Sequence, residues 1–208
     1  MKARLVMKEW ARLGADFAAR RGEILGRAAE ACVRSLEAGG TILAFGNGGS
    51  AAEAQHFTAE LVNKFFKKRP ALRAISLATD VSALTSIGND VSFRAVFSRQ
   101  VEALGKAGDV ALALSTSGSS PNVVAALRQA KKMGLVTIGL TGRGGGAMAP
   151  FCDYLIDVPS SVTPRIQEVH LAALHLLAEE IESRLLDGGR GPGLCPGVHF
   201  RREGSSLD

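Results

Sequence analysis

His56 and Glu60 stand four residues apart in SAAEAQHFTAEL, a stretch whose pattern predicts a helix beginning after Ser50. Residues at that spacing share one helical face. An imidazole and a carboxylate within reach of one ligand can work as acid and base, or hold a metal together. Near the other end of the chain Gln167, Leu171, His175 and Glu179 form a second i, i+4 series. His56, Glu60, Gln167 and His175 would then make a divalent-metal set, with zinc favoured by the two imidazoles. The spacing sets a demand on it: Gln167 and His175 are eight apart, about 12 Å along a straight helix, so their side chains would have to lean toward each other. A packed, hydrogen-bonded histidine is the plainer reading of either imidazole taken alone.

Two small-residue loops supply a different chemistry. Ala44 to Ser50 reads AFGNGGS and Leu114 to Ser120 reads LSTSGSS, each following an aliphatic run and leading into a helical pattern. Glycines let consecutive N–H groups converge, helix starts leave N–H groups unpaired, and hydroxyls add donors, so an oxyanion fits such a loop. Ser115, Thr116, Ser117 and Ser120 form the preferred phosphate shell, with Gly48, Gly49 and Ser50 lining the adjoining part of a sugar. Turn chemistry and helix capping explain either loop alone as well. GNGGS is not GxGxxG, and no GK followed by Ser or Thr occurs, so dinucleotide binding and nucleotide hydrolysis have little support. Gly88, Asn89 and Asp90 read as a turn whose Asn–Asp pair can hold sugar hydroxyls. Arg165 either neutralises the phosphate or anchors its helix to Glu168 or Asp157.

These groups need a scaffold, and the chain alternates elements that can build one. Residues 5 to 38 predict one or two amphipathic helices ended by Gly39 and Gly40. Strands are expected at Thr41 to Phe45, Leu72 to Ala78, Val110 to Leu114, Leu135 to Leu140 and Tyr154 to Val158. Helices are expected after Ser50 acting as N-cap, near Asp80 to Ser86, from about Ser92 to Leu104, from Pro121 to Met133, and from Arg165 to Leu186. Such alternation predicts an α/β three-layer sandwich, helices on both faces of a mostly parallel five-stranded sheet. Residues 1–187 then form one domain with an N-terminal helical region. From Gly188 the chain turns to Gly, Pro, Arg and Ser without periodicity, and residues 188–208 are expected to be a flexible tail.

Composition sets the outer bounds. With 208 residues and 46% apolar content, one core without staples is expected, burying roughly 70% of the extended-chain surface. Cys32, Cys152 and Cys195 are too few for a disulfide framework or a cysteine zinc module and are read as reduced thiols of a cytoplasmic protein. Charges interrupt the N-terminus, and no apolar run approaches a membrane span or a signal peptide. The net charge is +5, with its densest basic run at Lys64, Lys67, Lys68 and Arg69 beside Phe65 and Phe66. A solvated face explains that run, and so does an acidic partner or a phosphorylated metabolite; a lone patch on no recognised reader fold disfavours nucleic acid.

FGNGGS with QHFTAEL, then IGND, STSGSS, and RIQEVH followed by His175, resemble sugar isomerase (SIS) domains, and among these the bacterial phosphoheptose isomerases, over about residues 5 to 186. The resemblance implies an aldose–ketose isomerase acting on D-sedoheptulose 7-phosphate to give D-glycero-D-manno-heptose 7-phosphate. It also implies a homotetramer with sites at subunit interfaces, zinc in many members, and a place in heptose biosynthesis of the kind that feeds lipopolysaccharide or another glycan. Residue by residue, it assigns Glu60 and His175 as the proton-transfer pair and His56, Glu60, Gln167 and His175 as metal ligands. It assigns Gly48, Gly49, Ser50, Glu60, Asn89, Asp90, Ser115, Thr116, Ser117, Ser120 and Gln167 as substrate contacts. Pro164 stands where several members carry Asp. Two other readings share these loops: a non-catalytic SIS adaptor that binds the bacterial replication initiator, and a sugar-phosphate sensing module. The adaptors typically lack the carboxylate and imidazole that this chain keeps at Glu60 and His175.

Overall fold

The computed structural model describes residues 2–187. The order is α1 (Lys2–Glu37), β1 (Ile42–Gly46), α2 (Gly49–Val62), β2 (Ala74–Ser76), α3 (Val81–Asp90), α4 (Ser98–Leu104), β3 (Val110–Ser115), α5 (Pro121–Lys132), β4 (Val136–Thr141), β5 (Tyr154–Asp157) and α6 (Thr163–Asp187). Short 3₁₀ turns cover Phe93–Ala95 and Gly146–Phe151. The strands form one sheet in the order β2-β1-β3-β4-β5, every pairing parallel. This is the expected α/β sandwich.

Period-two alternation sorts the central strands between two cores. Ile42, Ala44, Val110, Leu112, Leu114, Ile138 and Leu140 point to the layer of α1, α2 and α6, where Phe57, Leu61, Leu174, Leu177 and Ile181 meet them. Leu43, Phe45, Ala111 and Ala113 point the other way, toward Val101 on α4 and Val123, Ala126 and Leu127 on α5. Strands covered on both faces are continuously apolar, which is why β1 and β3 are legible as strands and are buried throughout.

Several expectations are corrected. Of the one or two helices expected in the N-terminal region, the structure has one, of 36 residues. The second strand shrinks to three residues, because β2 is an edge that pairs only with Ile42 to Ala44. Gly88, Asn89 and Asp90 are not a turn but the last residues of α3, a helix opened by Asp80, whose carboxylate accepts from the Ala83 N–H. The single helix expected at Ser92 to Leu104 is divided, with extended backbone at Ser92, a 3₁₀ turn, and then α4. Ser50 is not the N-cap of α2: Gly48 takes that position at φ +56°, and Ser50 is buried in the first turn. Pro121 opens α5 as expected. The stretch from Gly188, with Cys195, lies outside the described residues.

The connections fix where a ligand can bind. From β1 the chain crosses to β2 on one side, then to β3 on the other. The carboxyl ends of β1 and β3 are therefore a topological switch point, the place where crossovers diverge and leave a crevice.

Candidate active site

Both small-residue loops emerge into that crevice, one from β1 and one from β3. In the first, the left-handed backbone of Gly48 turns the chain into α2, and a Cβ on Gly49 would collide with the side-chain amide of Gln167. In the second, Ser115 Oγ lies 2.9 Å from Ser120 Oγ and 3.3 Å from Ser117 Oγ, and Ser117 Oγ accepts from the Ser119 N–H at 3.1 Å. Ser120 precedes the first turn of α5 and makes no side-chain cap, so its hydroxyl stays with the loop. Thr116 holds the neighbouring glycine loop, its carbonyl accepting from the Gly142 N–H. The result is three hydroxyls and a helix start at one strand end, suited to an oxyanion.

The two loops are tied to each other by residues that sequence reasoning passed over. Asn47 and Asn122 exchange amide hydrogen bonds of 2.9 and 2.8 Å, one side chain from each loop–helix junction. Their signal was present in the weak repeat of strand, loop and helix, which puts a polar residue just after β1 and another at the start of α5.

α2 and α6 run side by side in the same direction, as their facing pairs show: Gly49 with Gln167, Glu53 with His170, and His56 with His175. His56 Nε2 lies 2.8 Å from His175 Nε2, and Glu60 Oε1 lies 3.5 Å from the same His56 nitrogen. At least one imidazole must carry the shared proton. The side chains of His56 and Glu60 are 44% and 25% exposed, so the cluster is open to a ligand. Phe65 closes one side, its ring centroid 5.7 Å from that of His175.

The remaining candidates distribute unevenly. Gln167 sits at the Gly49 end of the helix pair, two turns before His175, and is not brought to the His56–His175 contact. Asn89 and Asp90 are exposed at the end of α3, with the Asn89 amide donating to Asp90 at 2.7 Å. Arg165 pairs with Glu168 at 2.9 Å, while Asp157 is held by Arg21. In the basic run Arg69 is no surface charge: its guanidinium is fully buried against Glu182.

The donor chemistry of His56, Glu60 and His175 suits zinc, with two imidazoles and a carboxylate. Among the described residues no three such groups are arranged to hold an ion as they stand. Tetrahedral zinc with Zn–N near 2.0–2.1 Å separates its ligand atoms by about 3.3 Å, so the two histidines would have to part by about half an ångström.

Beneath the crevice lies a polar couple that neither loop motif announces. His170 is fully buried, and its Nε2 donates to the Thr141 carbonyl at 3.1 Å, which leaves Nδ1 as an acceptor. Glu53 Oε2 is 4.0 Å from that Nδ1, and neither atom has another partner. Burial pushes the Glu53 carboxyl up to about 7, opposed by a hydrogen bond with Ser50. Burial likewise pulls His170 down to about 4, against its bond to Thr141. Between about 4 and about 7 both groups are therefore neutral.

The SIS domain family model matches residues 7–142. The phosphoheptose isomerase of Desulfovibrio desulfuricans is 54% identical over 192 residues, which is 92% of this chain and 90% of that protein. Two solved phosphoheptose isomerases share the fold. The one from Neisseria gonorrhoeae is 43% identical at a TM-score of 0.82, and the one from Francisella tularensis is 37% identical at 0.85; each match spans 88% of this chain and 97% of the other. With likeness of this depth along nearly its whole length, on a parallel sheet whose switch point carries the serine loop, the chain belongs to the SIS-domain family and, within it, to the phosphoheptose isomerases.

Proposed function

We infer that this chain is an aldose–ketose isomerase that converts D-sedoheptulose 7-phosphate to D-glycero-D-manno-heptose 7-phosphate through an enediol. The observation that carries the reading is the cluster of Glu60, His56 and His175 on facing helices that begin beside the serine loop. Distance along the helices supports a long substrate. His56 lies seven residues beyond Gly49, so about 10 Å separates the loop end of α2 from the imidazole pair. An extended seven-carbon chain, at about 1.2 Å per bond as in an extended polypeptide, spans about 10 Å from C1 to a phosphorus on the C7 oxygen. A phosphate on the Ser115 to Ser120 loop would thus leave C1 and C2 near Glu60 and His175.

In this reading Ser115, Thr116, Ser117 and Ser120 bind the phosphate, and Gly48, Gly49, Ser50 and Gln167 border the sugar chain. Asn89 and Asp90, exposed on α3, would act as substrate contacts across a subunit boundary. Glu60 removes a proton from C1 of the ketose, His175 moves the proton between carbonyl and hydroxyl oxygens, and reprotonation at C2 releases the aldose. A zinc ion held by His56, Glu60 and His175, with Gln167 joining only from a displaced position, would polarise those oxygens. Glu60 cannot be a tight ligand and a free base together, so any metal ligation by it would have to be displaceable. A homotetramer and a cytoplasmic location belong to the same proposal. No described helix is long and apolar enough to cross a membrane.

Glu60→Gln keeps size and hydrogen bonding but removes the base. Turnover of sedoheptulose 7-phosphate, followed by resolving the product sugars, should fall by about 10² to 10⁴-fold with the fold intact. Undiminished turnover would overturn the assignment. Chelation followed by zinc addition tests the metal: rate lost and restored supports it, and a rate indifferent to both removes it.

A further inference from the structure

The segment between α2 and β2 is built around one buried carboxylate. Glu182 Oε1 accepts from the backbone N–H groups of Phe66 at 2.8 Å and Lys67 at 2.6 Å. Its Oε2 accepts from the Phe65 N–H and from Arg69 Nε, each at 3.0 Å. Arg69 spends its other donors on carbonyls: those of Glu60 at 2.7 Å and Leu61 at 2.8 Å, at the end of α2, and that of the adjacent Pro70 at 3.1 Å. The two side chains are 0% and 2% exposed. Seven hydrogen bonds thus converge on the Arg69–Glu182 pair, and two of its contacts touch the chemistry. Arg69 holds the backbone of Glu60 itself, and Glu182 fixes the turn that lays the Phe65 ring against His175.

Glu182 also stands seven residues after His175, two turns along the same face of α6. The pair therefore joins the carboxyl-terminal end of α2, where Glu60 sits, to the helix that carries His175. The turn lies at the surface, with Phe66, Lys67 and Lys68 exposed, yet its backbone N–H groups turn inward to this carboxylate and not to water. Burial pushes the Glu182 carboxyl upward, yet the three backbone donors and Arg69 outweigh it and hold the group below its usual range.

We propose that Arg69 and Glu182 are positioning residues for the isomerisation, a buried brace that keeps the Glu60 carboxylate and the His175 imidazole in register through the Glu60 carbonyl and the Phe65 ring. The brace rests on the proposed roles of Glu60 and His175. It leaves the serine loop untouched, so it governs the rate on bound substrate and not the binding of the phosphate.

The test compares the full chain with Phe65→Leu, Glu182→Gln and Arg69→Lys. Arg69→Lys keeps the charge but lacks the fork that reaches Glu60 and Leu61 together. For each folded variant kcat should fall by about 10-fold to 100-fold, as a misplacement of an ångström does, with KM changed by less than about twofold. Phe65→Leu, at a half-buried ring, keeps the question open where a change at the buried pair prevents folding. The second readout needs no turnover: with ring centroids 5.7 Å apart, Phe65 should impose an aromatic shift on the His175 ring protons in the wild-type nuclear magnetic resonance spectrum. Glu182→Gln should reduce that shift and Phe65→Leu abolish it. An unmoved His175 resonance, or kcat within about twofold of wild type in folded variants, overturns the brace. Should Glu60→Gln retain full activity, the isomerase reading falls, while the His175 resonance still decides whether the brace exists.

Discussion

At the scale of single residues, Glu53 and His170 give the sharpest expectation, because their protonation in the native state is the reverse of what water would give. Glu53 is protonated up to about 7, against an ordinary 4.5, so its contribution to stability is present below 4.5 and is lost as pH rises through 7. His170 stays neutral down to about 4, against 6.5, so its contribution is present above 6.5 and is lost as pH falls through 4. Between 4.5 and 6.5 the unfolded chain carries one proton on histidine and the native chain one on glutamate, so the pair adds no slope there. Glu53→Gln should expose the histidine alone, with stability falling toward acid from 6.5 at up to about 1.4 kcal/mol per pH unit. His170→Asn should expose the glutamate, with stability falling toward base from 4.5. Urea unfolding across pH 4 to 7.5 measures both, and two parallel curves would refute the coupling. The same residues show what sequence reading reaches. Ser115, Ser117 and Ser120 are legible because their partners lie within the same loop. Nothing in the sequence singles out Glu53, because what neutralises it is a burial against another helix that no local spacing encodes.

At the scale of elements, strands and loops were legible where local chemistry alone decides the backbone. β1, β3 and their glycine and serine loops came out close to their observed bounds, since apolar runs ending in small residues admit few alternatives. α3 was misjudged at its end because Gly88, Asn89 and Asp90 are turn formers in isolation, whereas here helical hydrogen bonds carry through them and close at the Val91 N–H to Ile87 carbonyl. Local propensity gives way once a helix has already been nucleated and capped upstream. Gly118 illustrates the opposite case, in which the backbone leaves no choice. It sits at φ +63°, and an added Cβ would drive into the carbonyl of Gly145. The contact welds the serine loop to the glycine loop after β4, with the Met148 N–H bonded to the Gly118 carbonyl. Gly118→Ala should therefore cost about 1–3 kcal/mol in thermal or urea unfolding. It should also weaken sugar-phosphate binding, seen as a raised KM, while kcat for bound substrate changes little. A stability equal to wild type would mean that the two loops are not in contact in solution.

For the whole molecule, the apolar surface left uncovered by a single chain is the remaining quantity to account for. α1 reaches the body of the domain from about Leu13, and ahead of that point Leu5, Met7 and Trp10 are 63%, 69% and 45% exposed. A second apolar set, Val81, Val91 and Phe93, lies at the two ends of α3 and the turn after it, again mostly exposed. Single exposed apolar side chains, such as Ile75 or Leu104, are ordinary, whereas neighbouring ones, as in Leu5, Met7 and Trp10 or in Val91 and Phe93, mark interaction surfaces. Two patches also suit the proposed tetramer, since dihedral symmetry needs at least two kinds of interface, each self-complementary about a twofold axis. The α3 patch adjoins Asn89 and Asp90, so an interface there would bring those side chains to the edge of a neighbouring site, where the single chain leaves them in solvent. Sedimentation of the wild-type chain should then give a particle about four times the chain mass of 21.8 kDa. Changing Leu5, Met7 and Trp10 together to Ser should split it into dimers, with the fold of each subunit kept because none of the three side chains joins either core. Val91→Asp with Phe93→Asp should break the other interface and, unlike the first set, lower activity, since it takes Asn89 and Asp90 away from the substrate. A wild-type particle that sediments as a monomer with full activity would show that one chain holds a complete site, and Asn89 and Asp90 would then have no part in it.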